Sequence, residues 1–169
     1  MNTLETLFDH HEWATLALID HCAGLPPEVL EQSVPGTAGS IRATLVHLVA
    51  ADQRYLRRMP GEPIEPAIHE SMQDLRAEQL RPAFQIQARR WRDLVAKAGE
   101  LDVTLPGRGE EPDVPHAADL LFLQAIHHGN DHRTHVCTIL GALGLEAPEL
   151  DGWHYLEHGR YQPESTAAR

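Results

Sequence analysis

An all-α fold is what the sequence predicts: a four-helix bundle with a short extra helix near its C-terminal end. Three observations carry this. Four long segments repeat apolar residues at helical spacing, strand signal is almost absent, and Pro- and Gly-rich connectors separate the segments. The 169 residues fit one domain, expected over 1–160 and followed by a polar, disordered tail at 161–169.

Residues 3–23 form the first predicted helix, with Leu4, Leu7, Phe8, Ala14, Leu18 and Ile19 on its apolar side. Asn2 and Glu5 can make a capping box, and Gly24 suits the other end. "LPPEVLEQSVPGTAGS" is a connector with room for one helical turn after Pro26. Ser40 caps a second helix over 41–59, which stops before Pro60-Gly61. After the Pro-rich loop "GEPIEPAIHE", Ser71 and Asp74 mark the start of a third helix that reaches about Gly99. Pro82 lies inside it and should kink or restart it. Residues 100–114 connect, with an extended piece at Val103 to Leu105. Pro115 suits the first position of a fourth helix, which Gly144 ends. Asp151 caps a last short helix reaching Gly159.

Composition narrows the function. Hydrophobic residues make up 42% and charged residues 23%, a soluble globular profile, and the length suffices to bury a core. The net charge of −11 repels phosphate backbones and anionic lipid, which argues against nucleic-acid and membrane partners. No apolar run approaches the roughly 20 residues a membrane span needs. Arg89, Arg90 and Arg92 fall in a helical pattern and read as a solvated face. Cys22 and Cys137 sit in apolar segments without a CxxC partner, so they read as reduced, buried small residues of a cytoplasmic protein.

The histidines are the chemical signal. "HHGNDHRTHV" holds four of them: His127, His128, His132 and His135. On a helix, residues four apart differ by about 40°, so His128 and His132 share a face and His135 lies near it. This spacing lets one helix turn two imidazoles onto one ion, and two leave a divalent ion underligated. His47, in the otherwise apolar "TLVHLVAAD", is the candidate third; the competing reading is a buried histidine bonded to a backbone carbonyl. His10 and His11 are candidates for contacts behind a metal. His21, His69 and His116 carry less signal, and His154 and His158 repeat the i, i+4 spacing on a short exposed segment.

Three stretches, in this order, resemble the DinB family (DinB/YfiT-like): "FDHHEWATLALIDHCAGLPPEVL", "GSIRATLVHLVAADQRYL" and "LLFLQAIHHGNDHRTHVCTILGALG", with "PELDGWHY" after them. The resemblance implies an up-down-down-up bundle and a divalent metal held by His47, His128 and His132, the last two from an H-x-x-x-H-R motif ending in Arg133. Much of the family has Gly-Gln next, where this chain has Thr134-His135, so His135 is the reserve ligand. The ergothioneine-pathway branch carries Glu where this chain has Thr134, which argues against that branch. Several relatives look like transferases or isomerases that use bacillithiol, mycothiol or glutathione.

Three imidazoles leave a coordination position open, the pattern of a catalytic site. The expected function is a metal-dependent enzyme that activates a low-molecular-weight thiol, or water, against a small electrophilic substrate. The alternative is a non-catalytic metal-binding or stress-response module. Zinc is favoured, with nickel or iron as other occupants. Asp52, Tyr55 and Arg133 are the catalytic candidates: Asp52 as acceptor or base against a solvated helix residue, Tyr55 as pocket lining, Arg133 as orienter of a neighbour or a substrate anion. Trp13 and Trp153 are read as core or pocket wall. A homodimer is expected.

Overall fold

A computed structural model describes residues 2–72, 74–107 and 109–158. The expected tail at 161–169, and the end of the last helix at Gly159, lie outside the described residues. Four long helices dominate: α1 (Thr3–Ala23), α3 (Ile41–Leu56), α4 (Ala77–Val95) and α5 (Ala118–Ala142). Two short ones, α2 (Pro27–Leu30) and α6 (Gly152–Glu157), and a 3-10 turn at Ala98–Glu100 complete the described helices. Among the described residues the only strand-like pairing is an isolated antiparallel bridge between Leu105 and Val114.

Local chemistry starts the helices where short polar residues reach back to free amides. Asn2 accepts from the Glu5 amide at 3.0 Å while the Glu5 carboxylate takes the Asn2 amide at 2.7 Å, a full capping box. Ser40 accepts from Ala43 N at 3.2 Å, and Asp151 from both Trp153 N and His154 N. At the end of α5, Gly144 takes φ +71° and Leu145 N–H returns to Leu140 O at 3.0 Å, a left-handed cap that a side chain would strain.

Several boundaries differ from the sequence expectation. α3 ends at Leu56 rather than 59, because Arg58 and Met59 close tighter turns onto Tyr55 and Leu56 and Met59 is buried. α4 begins at Ala77 rather than near Ser71. Arg76, whose amide donates to Gln79 Oε1 at 3.1 Å, supplies the start, while Met72 and Leu75 close turns upstream. It ends at Val95, before Gly99. Pro82 neither stops nor restarts it: the amide it lacks would have met Glu78, on the exposed side. α5 begins at Ala118 rather than Pro115, since Ala117 N–H is drawn 2.7 Å onto Val103 O and His116 takes φ +51°.

Residue pairings give the helix directions. Phe8 packs on Trp91 while Asp20 pairs with Arg81, so α1 and α4 are antiparallel. Phe8 packs on Phe122 and Thr15 meets Arg133, so α1 and α5 are parallel. His47 packs on His132 and Tyr55 meets Gln124, so α3 and α5 are antiparallel. The bundle therefore runs up-down-down-up, and α3 also packs against α4.

The core is divided. One apolar cluster holds Leu18, Ile19, Leu48, Phe84, Ile139 and Leu140; the other holds Phe8, Leu56, Trp91, Leu121 and Phe122. Between them every long helix contributes polar residues sealed from water: His11 and Thr15 from α1, Asp52 and Gln53 from α3, Gln87 from α4, and Arg133 from α5. Buried polar groups are tolerated when they bond one another, and several of these do. Arg133 donates to Thr15 Oγ1 at 2.9 Å and to His11 Nδ1 at 3.1 Å. His11 Nε2 makes a long contact, 3.4 Å, to Asp52 Oδ1, and Asp52 Oδ2 accepts the Trp91 indole N–H at 2.8 Å.

Candidate metal centre

α3 is buried on almost every side between Thr44 and Gln53, and His47 stands at its one half-open edge. α5 runs antiparallel along that edge and turns His128 and His132 toward it. His47 Nε2 lies 3.1 Å from His128 Nε2. The ring centres are 4.6 Å apart for His47–His132 and 4.2 Å for His128–His132. One nitrogen from each of the three falls within 4.8 Å of the others. Tetrahedral zinc with Zn–N near 2.0–2.1 Å needs nitrogens about 3.3 Å apart, so small rotations of these rings suffice to seat an ion. The residues present fit a divalent cation.

Burial, and then the neighbouring imidazoles, push the His128 pKa down to about 3 and that of His132 to about 4. Both rings are therefore neutral at pH 7, as imidazole ligands must be. Three imidazoles with no protein carboxylate in the group leave any further coordination position to solvent or substrate.

The family model for the DinB family matches residues 1–165 of the 169. The chain belongs to the DinB family. No curated protein and no solved structure matches it.

In this DinB protein the other sequence candidates are dispersed. His135 packs its ring 5.3 Å from that of His132, outside the three-nitrogen group. Tyr55 sets its ring edge-on to His128, centroids 5.5 Å apart, and its hydroxyl accepts from Gln124 at 3.2 Å; it borders the cluster. Asp52 is 3% exposed, which overturns the solvated reading, and it faces Trp91 and His11. Arg133 is buried against α1, with its pKa brought down to about 10 by burial. His127, His69 and His116 are exposed.

His10 is not behind the cluster: it bonds Leu150 O at 2.8 Å and packs on Tyr155, fastening α6 to α1. Trp13 joins that contact, and Trp153 is 75% exposed, so neither walls the histidines. His154 pairs with Glu149 at 2.5 Å. Among the described residues it belongs to no group of three metal-binding side chains.

Sequence reasoning missed Glu70 and Gly129. The Glu70 carboxylate lies 3.2 Å from His47 Nδ1 and pairs with Arg54, which holds its pKa below the usual range. Gly129 lets α5 close on α1: a Cβ there would stand 2.4 Å from His11 Cε1. Glu70 sits in a Pro-rich loop with no motif around it, whereas a glycine mid-way through a histidine-rich helix was a signal.

Proposed function

We propose that this protein is a metal-dependent enzyme in which His47, His128 and His132 hold one divalent cation, zinc by preference, and a low-molecular-weight thiol or water attacks a small electrophilic substrate. The observation that carries it is the convergence of three imidazole nitrogens from two facing helices at a half-open edge. A cation bound there supplies Lewis acidity, which makes a nucleophile from a thiol or water at neutral pH. Burial and mutual repulsion keep His128 and His132 unprotonated, so their lone pairs are available. The Tyr55 ring packs edge-on against His128 at the border of the site. We place the protein in the cytoplasm, and no helix among the described residues is long and apolar enough to cross a membrane. Pairing of two copies as a homodimer is also proposed.

The test is metal content of tag-free protein by mass spectrometry, with His47→Ala and His128→Ala beside it. About one ion per chain, lost in both variants, supports the site and opens a thiol and electrophile screen. Metal that survives His47→Ala sinks the ligand set. Turnover abolished by His47→Ala with the fold intact separates an enzyme from a module that uses the metal only for stability.

A further inference from the structure

The loop between α3 and α4 is held in a defined course by one buried side chain. Gln53, 1% exposed, donates from Nε2 to Ile64 O at 3.1 Å and to Pro66 O at 3.0 Å, and its Oε1 accepts the Ile68 amide at 2.8 Å. Ile68 then plugs into the larger apolar cluster. These anchors deliver Glu70, two residues on, to the edge of α3, where its carboxylate meets His47 Nδ1 at 3.2 Å and Arg54.

The contact with Glu70 favours one tautomer of His47. A carboxylate accepts, so His47 Nδ1 carries the hydrogen in a neutral ring. His47 Nε2 then carries the lone pair and, without a metal, accepts from His128 Nε2–H 3.1 Å away. Carboxylates that receive the outer N–H of a metal-binding histidine orient the ring and raise its basicity.

We propose that Glu70 is a positioning residue of the three-histidine site: its carboxylate locks His47 as the Nδ1–H tautomer and turns Nε2 into the cluster. The proposal rests on the metal reading above. Glu70 meets the site at His47, and Arg54 pairs with the same carboxylate oxygen, Oε1. Because Glu70 is a half-exposed loop residue, its removal leaves the buried layer and both apolar clusters untouched.

The test measures cobalt(II) affinity by competition with a chromophoric chelator at fixed neutral pH. It compares wild type, Glu70→Ala, Glu70→Gln, Glu70→Asp and His47→Ala, with thermal unfolding in chelator as the fold control. Glu70→Ala is expected to keep one cobalt per chain and to bind it about 10–100-fold more weakly. Glu70→Asp recovers part of the loss, and Glu70→Gln, which keeps an acceptor oxygen without the charge, falls between. Nitrogen-15 spectra of the metal-free protein give a second readout: His47 is the Nδ1–H tautomer in wild type and a mixture in Glu70→Ala. Wild-type affinity in Glu70→Ala while His47→Ala loses cobalt would overturn the role of Glu70 and leave the metal site standing. A wild-type protein that binds no cobalt would overturn both.

Discussion

Trp91 donates its indole N–H to Asp52 Oδ2 at 2.8 Å between the two apolar clusters, with both side chains almost sealed from water. Asp52 also supplies the negative charge that faces buried Arg133 through the His11 ring. Removing one partner of a buried charge pair leaves the other uncompensated. Asp52→Ala should therefore lower unfolding free energy by about 3 kcal/mol. Urea denaturation checks this, and a loss under about 1 kcal/mol would show that Arg133 is balanced elsewhere.

Gly129 and Gly141 lie in the same helix and should respond in opposite directions. A Cβ on Gly129 would meet His11 Cε1 at 2.4 Å, His11 Nδ1 at 2.7 Å and Arg133 Nη1 at 3.0 Å, all on side chains pinned in the core. Overpacking of that kind destabilises by about 1–3 kcal/mol. Gly141 has nothing within 4 Å of the same position, so alanine there should gain up to about 1 kcal/mol from helix propensity. Melting temperatures of the two variants, moving apart, are the expected result.

Acid should destabilise the metal-free protein early. His128 and His132 have pKa values of about 3 and 4 in the fold, below the ordinary 6.5 that they regain on unfolding. The unfolded chain therefore binds more protons between those values. The stabilising contribution is complete above pH 6.5 and is lost as pH falls toward 4 and then 3. Melting curves in chelator across that range should show a steady fall. His128→Ala should flatten part of it, and an unchanged slope would remove His128 as a source.

Gln53→Leu should loosen the loop before it loosens the bundle. The substitution frees Ile64 O and Pro66 O, which water can reach, and leaves the buried Ile68 N–H without its partner at about 1–3 kcal/mol. Hydrogen exchange at the Ile68 amide should quicken by orders of magnitude, while amides in the middle of α5 slow or hold relative to it. Equal acceleration in both places would mean that the loop and the bundle open as one unit.

The caps at Asn2, Ser40 and Asp151 were legible because they act within three residues, and so was the pairing of His128 with His132 on one helical face. His47 stood out as a lone histidine in the apolar "TLVHLVAAD", and the family resemblance added its pairing with them, since helix spacing says nothing about which helices face each other. Asp52 was misjudged because α3 is buried almost all round, so an acidic residue on it does not mark a wet side. Ser71 and Asp74 imitate a helix start, yet the tether from Gln53 to residues 64–68 fixes the chain upstream and defers the helix to Arg76 and Gln79. Glu70 was illegible for the same reason: its position is set by bonds made eleven or more residues away in the chain.

The histidines of the cluster come from helices far apart in the order of synthesis. His47 precedes His128 by 81 residues. A ribosome adding about 5–20 residues per second takes about 4–16 seconds to cover that interval. Throughout it the nascent chain holds one imidazole of the three, and α3 has no antiparallel neighbour in α5 to lie against. The proposed three-histidine site is therefore complete only once α5 has been made, and a chain that stalls before α5 emerges cannot form it.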